Sequence, residues 1–281
     1  MHYNTVCLRK FNLGTKETDM TSDCSILENS CLKGLYRRIV FSAPEIAAKA
    51  EPGQFVHIRI PTLRDRVLRR PFSICGYDPQ AGTLTVVYKV VGAGTSELAE
   101  TLPGRVCDVM GPLGKGYPMP SADETPILVA GGYGSAAILP LAERSAEKGV
   151  LLLGARSSAD IILTEEYENA GYEVRLATQD GSLGRRGLVT ELLDGALADA
   201  KKTPVLYACG PTPMLMALGK IAVEKNVKCY LSLDQHMCCG IGACFACVVK
   251  VKDPSSPDGW RYSRSCKEGP VYTADEVYYE A

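Results

Sequence analysis

The feature that most constrains this chain is a group of cysteines near its C-terminal end. Five of the 12 cysteines fall within 29 residues, and four of these have the spacing C-x4-C-x2-C with a further cysteine after eighteen residues. The four are Cys239, Cys244, Cys247 and Cys266. This is the ligand spacing of plant-type [2Fe–2S] clusters, in which four thiolates surround a compact centre. The loop must wrap tightly, and its small residues permit that because glycine tolerates positive φ angles. The spacing therefore predicts a [2Fe–2S] cluster.

A four-cysteine zinc site is the alternative for the same residues. Structural zinc sites usually show two C-x2-C pairs, whereas this chain has one such pair with a glycine-rich loop before it. Cys238 adjoins the motif, but five residues separate it from Cys244, so it is excluded as a ligand. The three histidines are isolated in sequence, and His236 is interpreted as a surface or partner contact because no second histidine stands at ligand spacing.

The composition excludes several classes of protein. The 281 residues carry 31 basic and 32 acidic side chains, a balance that argues against binding to nucleic acid. No apolar run approaches the roughly 20 residues that span a bilayer, and the first residues lack the apolar core of a secretory signal. With 46% hydrophobic residues the chain is a globular one. We expect a soluble, cytoplasmic protein that binds neither membranes nor nucleic acids.

Pattern and composition divide the chain into four stretches. Residues 1–22 are polar and are interpreted as a flexible leader. Residues 23–118 contain short β-rich runs between turn residues, which favours an antiparallel barrel or sandwich. Residues 119–228 alternate strands with helices, which indicates a parallel sheet of βαβ units. Residues 229–281 lose the alternation and carry the cysteine motif. We therefore predict a β plus α/β protein with a small C-terminal cluster module.

The β-rich region contains short motifs whose residue types suit a flavin nucleotide. Arg70 offers a planar fork of donors to a pyrophosphate, Ser73 can place a hydroxyl near an isoalloxazine edge, and Tyr88 supplies a ring to stack on it. A Gly-Thr-Ser turn at residues 94–96 opens a helix whose first amides would hold phosphate. Each motif alone is weak, because an Arg-Pro pair on a strand is commonly just an edge feature.

Two turns in the α/β region predict a dinucleotide site. The segment starting Gly132-x-Gly134 fits the form G-x-G-x-x-G/A between a strand and a helix, although a tight turn without a ligand is the alternative. Arg156 and Asp160 follow the next strand, so NAD and NADP both stay open. Cys209 begins a Cys-Gly-Pro turn at the carboxyl end of a strand, where α/β sheets bind ligands. A buried structural cysteine is the other interpretation.

Taken in order, these motifs resemble those of a known family. The segments RPFS, VYK, GAGT, GPLGKGY, GGYGS, CGPTPM and CGIGACFAC follow one another as in the ferredoxin–NADP reductase superfamily. Within it, the chain from Ser25 to near the C-terminus resembles the electron-transfer subunits of two-subunit (type 1B) dihydroorotate dehydrogenases. The resemblance implies an antiparallel flavin-binding β-barrel, a Rossmann-like parallel-sheet NAD domain and a small C-terminal [2Fe–2S] module.

The resemblance also implies cofactors and a partner. The cofactors would be FAD, one [2Fe–2S] cluster and NAD as electron acceptor. The partner would be an FMN-containing catalytic subunit that oxidises dihydroorotate to orotate in pyrimidine biosynthesis, in a heterotetramer. Electrons would pass from FMN through the cluster to FAD, and then as hydride to NAD+. Because nicotinamide moves two electrons at once and a cluster moves one, the flavin must lie between them.

The same resemblance implies which residues bind the cofactors. The family's flavin positions correspond to Arg70, Pro71, Phe72, Ser73, Val87, Tyr88, Lys89, Gly94 and Thr95. Its cluster ligands correspond to the four cysteines of the spaced motif. In this superfamily the cysteine of the Cys-Gly-Pro turn, here Cys209, lies beside the reacting nicotinamide carbon, and Gly132 and Gly134 belong to the dinucleotide turn. Two departures are the leader and a loop over residues 253–260, which is interpreted as an inserted hairpin tip.

Three other functions remain as alternatives. Relatives that share most of these motifs include the small subunit of an NADH-dependent ferredoxin:NADP+ oxidoreductase or sulfide dehydrogenase. A stand-alone NAD(P)H reductase would need no partner. A regulatory protein could use the cluster as a redox sensor, although the intact flavin and nucleotide motifs weigh against it. The chain shows no evident general base for dihydroorotate oxidation, so that chemistry is assigned to the partner.

Overall fold

The fold is described from a computed structural model that covers residues 21–61 and 68–279. The predicted leader lies outside these residues except for Thr21 and Ser22, which begin the first strand. Among the described residues, no helix is long and apolar enough to cross a membrane.

Seven antiparallel strands form the first sheet. They are β1 (Thr21–Lys33), β2 (Tyr36–Ser42), β3 (Phe55–Arg59), β4 (Arg70–Ser73), β5 (Gly76–Asp78), β6 (Thr83–Lys89) and β7 (Val106–Leu113). Their spatial order is β4-β3-β7-β1-β2-β6-β5. Two short helices, α1 (Pro44–Ala47) and α2 (Ala93–Ala99), connect them. The predicted antiparallel barrel is confirmed, but β1 was not predicted, because most of its side chains are polar or exposed.

Strand β3 is buried on both of its faces, which is unusual for an antiparallel barrel. Val56 and Ile58 point into the barrel core. Phe55 and His57 alternate with them and are buried on the outer face, at 4% and 0% exposure. The outer face is buried because the C-terminal module packs against it, where Phe55 joins a cluster of buried side chains that includes Cys247.

The second sheet is built from βαβ units. Its first elements are β8 (Glu124–Gly131), α3 (Gly134–Arg144), β9 (Val150–Ala155), α4 (Thr164–Asn169), β10 (Glu173–Thr178) and β11 (Arg185–Arg186). They are followed by α5 (Leu193–Ala198), β12 (Thr203–Cys209), α6 (Thr212–Glu224) and β13 (Lys228–Ser232). All of these strands pair in parallel. The predicted Rossmann-like sheet is confirmed.

Both faces of this sheet are covered. In β8, Leu128 and Ala130 face one core together with α3 and residues of the barrel. Ile127 and Val129 face the opposite core together with α5 and α6. The alternation follows from the period of two along a strand. Because strands buried on both faces are uniformly apolar, their sequences are easy to recognise.

The C-terminal module is a hairpin that returns to the second sheet. Strands β14 (Val248–Lys252) and β15 (Trp260–Arg264) pair antiparallel around the loop that was predicted as a hairpin tip. Strand β16 (Val271–Thr273) then pairs antiparallel with β13. Strand β13 thus belongs to the nucleotide sheet, although most of its residues were predicted to lie in the C-terminal module, which was expected to begin at residue 229. Beyond these differences in individual strands, the predicted fold class is confirmed.

Candidate functional site

The four predicted cluster cysteines lie on the segment between β13 and β14 and just after β15. Cys247 and Cys266 are each 2% exposed, whereas Cys239 is partly buried and Cys244 is exposed. The four thiols interact with one another: Cys244 hydrogen-bonds to the Cys239 sulfur, and Cys266 interacts with Cys247 and Cys239, while Cys238 also hydrogen-bonds with Cys244. Two pairs of thiolates are what a binuclear cluster needs, one pair for each iron.

The loop directs backbone amides at these sulfurs. The Ala243 N–H donates to Cys239 Sγ at 3.3 Å, and the Cys266 N–H donates to Cys247 Sγ at 3.4 Å. Partial burial would raise the pKa of the Cys239 thiol, but amide donors such as that of Ile241 lower it to about 6. A thiol with such a pKa is largely thiolate at neutral pH, which is the form that binds metal.

Two glycines with positive φ angles allow the cysteine loop to fold tightly around the predicted cluster position. Gly240 has φ of 72° and Gly242 has φ of 83°. A Cβ on Gly240 would lie 2.9 Å from the ring of His57 and 3.1 Å from Met110 Cε. The residues therefore fit a [2Fe–2S] cluster seated against the barrel. Among the described residues, no three His, Cys, Asp or Glu side chains are grouped around a single-ion position.

A cavity of about 140 Å³ lies where the barrel, the nucleotide domain and the module meet. Its lining includes three residues of the predicted flavin motif and two of the predicted nucleotide motifs. These are Pro71, Phe72, Ser73, Gly134 and Cys209. Phe55 of β3 and Met237 of the module complete the wall, and both pack in the cluster of side chains that includes Cys247 and Cys266. One space is thus lined by predicted flavin and nucleotide residues and by side chains that pack with the cluster cysteines.

The structure places other predicted flavin residues away from this cavity. The Tyr88 ring packs edge-on against Phe72, with ring centroids 5.8 Å apart, and its hydroxyl donates to Asn29. Val87 is buried in the core between the barrel and the nucleotide domain. Arg70 donates from Nη1 to the Leu68 carbonyl at 2.8 Å. Their predicted roles toward a flavin remain predictions.

Thr95 has a structural contact that the sequence did not suggest. Its hydroxyl accepts the backbone N–H groups of Val91 at 2.9 Å and Gly92 at 3.1 Å, and so fixes the start of α2. Gly94 lies in the first turn of this seven-residue helix. The turn predicted to open a helix is confirmed, while phosphate binding by it stays a prediction.

Lys89 and Asp160 form a contact between the first two domains. Lys89 Nζ pairs with Asp160, and the Tyr36 hydroxyl donates to the same carboxylate at 2.8 Å. The Lys89 hydrogen bond keeps the pKa of Asp160 below its usual value. Sequence reasoning placed Asp160 near a ribose and Lys89 near a flavin, and it missed the pairing because the residues are 71 positions apart.

A larger cavity of about 480 Å³ runs along the carboxyl ends of the parallel strands. It is lined by the glycine turn, by the ends of β9 and β10, and by the Pro211–Ala217 turn of α6. The predicted residues on it are Gly132, Arg156 and Asp160, together with Lys89. This is where open α/β sheets bind nucleotides.

Gly134 is required by close packing at the start of α3. A Cβ placed on it would lie 2.2 Å from the Cys209 carbonyl oxygen and 2.6 Å from the Cys209 carbonyl carbon. Only a residue without a side chain lets the helix begin against the end of β12. Gly132 has φ of 54° and open space around it, so its backbone angle rather than crowding favours glycine.

Cys209 is 7% exposed and lies on the wall of the smaller cavity. Burial, with a further contribution from Asp234, raises the pKa of its thiol to about 12. The thiol is therefore neutral at physiological pH, and it can orient a ligand but cannot serve as a thiolate nucleophile or base.

Comparison with known proteins supplies relatives over most of the chain. A family model described as the iron-sulfur cluster binding domain of dihydroorotate dehydrogenase B matches residues 234–278. The dihydroorotate dehydrogenase B (NAD(+)) electron transfer subunit of Geobacillus kaustophilus is 42% identical over 232 residues, which cover 81% of this chain and 86% of that protein. The protein of the same name from Fusobacterium nucleatum is 37% identical over 264 residues, which cover 92% of this chain and 98% of that protein.

Solved structures of other proteins have a similar fold. The structure of an NADH-dependent reduced ferredoxin-NADP oxidoreductase has a TM-score of 0.78 and 29% identity, and the match covers 92% of this chain and 90% of that chain. A ferredoxin reductase of carbazole 1,9a-dioxygenase has a TM-score of 0.63 at 21% identity, with 74% of this chain and 66% of that chain covered. The second likeness concerns the fold alone.

Proposed function

The chain belongs to the family of dihydroorotate dehydrogenase B electron-transfer subunits, and on that premise we propose the following function for it. It is an oxidoreductase subunit that passes electrons from the FMN of a catalytic dihydroorotate dehydrogenase subunit, by way of a [2Fe–2S] cluster and FAD, to NAD+. This serves pyrimidine biosynthesis, in which the partner subunit oxidises dihydroorotate.

The observation that carries the proposal is the cavity shared by the three domains. A flavin supplies the change between one-electron and two-electron chemistry. The cavity is bordered by Ser73 of the barrel, by Cys209 of the nucleotide domain and by Met237 of the module. It is the place where a flavin ring would be near both the cluster and a nicotinamide.

The cluster is assigned to Cys239, Cys244, Cys247 and Cys266. Amide donation to two of these sulfurs, and the thiolate character that it gives Cys239, support the assignment. In the partly exposed half of the loop, Cys244 is the ligand open to a partner. We propose that this exposed side faces the catalytic subunit.

The flavin is assigned to the barrel side of the cavity. Pro71, Phe72 and Ser73 line it directly, and the buried Tyr88 ring supports Phe72 from behind. The remaining assigned positions are Arg70, Val87, Lys89, Gly94 and Thr95. They are proposed to hold the rest of the FAD molecule.

The dinucleotide is assigned to the larger cavity. Gly132 leaves the strand end open to it, while Gly134 keeps α3 close to β12. Cys209, as a neutral thiol, would help to position the nicotinamide in the neighbouring smaller cavity. We propose NAD(H) rather than NADP(H) as the ligand, since the relatives that show the family are named for NAD(+).

The partner is proposed to be an FMN-containing catalytic subunit, joined in a heterotetramer. The test is to co-express this chain with that subunit, purify the complex through a tag on one component, and measure bound FAD, FMN, iron and acid-labile sulfide. We expect both flavins, one cluster per copy of this chain, and reduction of NAD+ by dihydroorotate. A complex with these cofactors that instead reduces ferredoxin and is inert to dihydroorotate would favour the alternative small-subunit function.

A further inference from the structure

His57 occupies a position between the proposed flavin site and the cluster loop. It lies on the outer face of β3, where its cross-strand neighbours are Pro71 of β4 and Met110 of β7. Its ring centroid is 5.7 Å from that of Phe55, which borders the smaller cavity. The imidazole is fully buried, at 0% exposure.

The ring edge touches the cluster loop at the residue after the first cysteine. A Cβ on Gly240 would lie 2.9 Å from both Cε1 and Nδ1 of His57. Glycine is thus required there both by its φ of 72° and by the presence of the imidazole. The Cε1–Nδ1 edge of His57 packs directly against the backbone that follows Cys239.

The imidazole lacks a polar partner within the described part of the chain. Neither Nδ1 nor Nε2 has a hydrogen-bond partner among the described residues. Burial, and secondarily the charge of Arg69, lowers the pKa of His57 to about 4. The ring is therefore neutral at physiological pH, with one nitrogen as a donor and the other as an acceptor. Leaving that donor unpaired in a buried place costs free energy, so an acceptor is expected.

The sulfurs of an iron–sulfur cluster are anionic acceptors, and the loop that would hold them lies against this ring. We propose that His57 is a positioning residue that donates its Nδ1–H to a sulfur of the [2Fe–2S] cluster and thereby raises the reduction potential of the cluster. The direction follows because a donor stabilises the extra negative charge of the reduced cluster, and hydrogen bonds to cluster sulfurs tune the potential. The inference rests on the proposed cluster. A buried water as the partner of His57 is the competing explanation.

The first test is the potential of the cluster in the assembled complex, followed by EPR during a redox titration. His57→Leu removes the donor, His57→Gln retains an N–H, and Met110→Leu is the control that changes packing against Gly240 without removing a polar group. We expect His57→Leu to disfavour reduction of the cluster about tenfold, which for a one-electron couple is about 59 mV to the negative side. His57→Gln should restore part of the shift, and Met110→Leu should leave the potential unchanged. An unshifted potential in His57→Leu would overturn the inference and favour the water.

The second test needs no stable variant at His57. The protein is labelled with 15N-histidine, and the reduced cluster is studied by pulsed EPR for nitrogen coupling. The chain has three histidines, so His236→Asn serves as the matched control for the other histidine near the cluster. The inference predicts a 15N coupling in the wild-type protein that survives His236→Asn. A coupling lost in His236→Asn, or no coupling at all, contradicts it, whereas a protein without any cluster signal contradicts the proposed function instead.

Discussion

Gly134→Ala is the substitution whose effect follows most directly from the geometry of the nucleotide site. The new Cβ would lie 2.2 Å from the Cys209 carbonyl oxygen. The neighbouring atoms belong to the backbone, so no flexible side chain can move aside. Overpacking of this kind costs about 3 kcal/mol, at the upper end of its usual range. Alanine in a helix recovers about 1 kcal/mol relative to glycine. The net loss of stability is therefore about 2 kcal/mol.

The matched control is Gly195→Ala in α5 of the same domain. Gly195 is exposed, and a Cβ on it would meet only Arg175 Nη1 at 3.7 Å. Helix propensity should then stabilise this variant by about 1 kcal/mol. Thermal unfolding followed by circular dichroism compares the two, at roughly 2–4 °C for each kcal/mol. We expect the melting temperature to fall by about 4–8 °C in Gly134→Ala and to rise slightly in Gly195→Ala. Equal shifts of the same sign in the two variants would refute the packing argument.

Three further predictions address the cluster, the nicotinamide site and the domain contact. Cys244→Ser should lose the visible absorption of the cluster, while Cys238→Ser should retain it. Equal loss in both variants would show that the cluster ligands were assigned to the wrong cysteines. Cys209→Ala should retain the cluster and FAD but slow the reduction of FAD by NADH in stopped-flow experiments. Because its thiol has a pKa of about 12, the wild-type rate should show no inflection from Cys209 between pH 6 and 9. Lys89→Met should destabilise the protein by about 1 kcal/mol at pH 7. The pKa of Asp160 is lowered, so this contribution is present above the ordinary aspartate pKa and is lost as the pH falls through the folded-state pKa. The difference between wild type and variant in urea unfolding should therefore shrink as the pH is lowered below about 4; a constant difference would exclude the ion pair as its source.

Local sequence patterns predict the parts of this protein that depend on local geometry. The C-x4-C-x2-C spacing identifies the cluster loop because a compact cluster fixes how many residues can separate its ligands. The apolar runs of β8 and β9 are recognisable because both of their faces are buried. The order of motifs along the chain then identifies the three domains.

Contacts between distant segments could not be predicted in the same way. Lys89 and Asp160 pair across domains, and nothing in either local sequence signals the other. Strand β13 was missed because its own residues show no long apolar run, and its pairing with β16 joins segments that are distant in sequence. The burial of His57 was missed as well, because Val56, Ile58 and Ile60 alternate with His57 and Arg59, which is the pattern of a strand with one exposed face.

The central claim is that the cluster connects the partner subunit to the flavin, and that the flavin connects to NAD(H) independently of the cluster. The most direct test uses a folded Cys247→Ala complex that lacks the cluster but retains FAD and FMN. Stopped-flow absorbance then follows two reactions, the reduction of FAD by NADH and the reduction of NAD+ by dihydroorotate. The account predicts that the first proceeds at the wild-type rate and that the second is abolished. Undiminished reduction of NAD+ by dihydroorotate without the cluster would contradict it, because the two flavins would then exchange electrons directly.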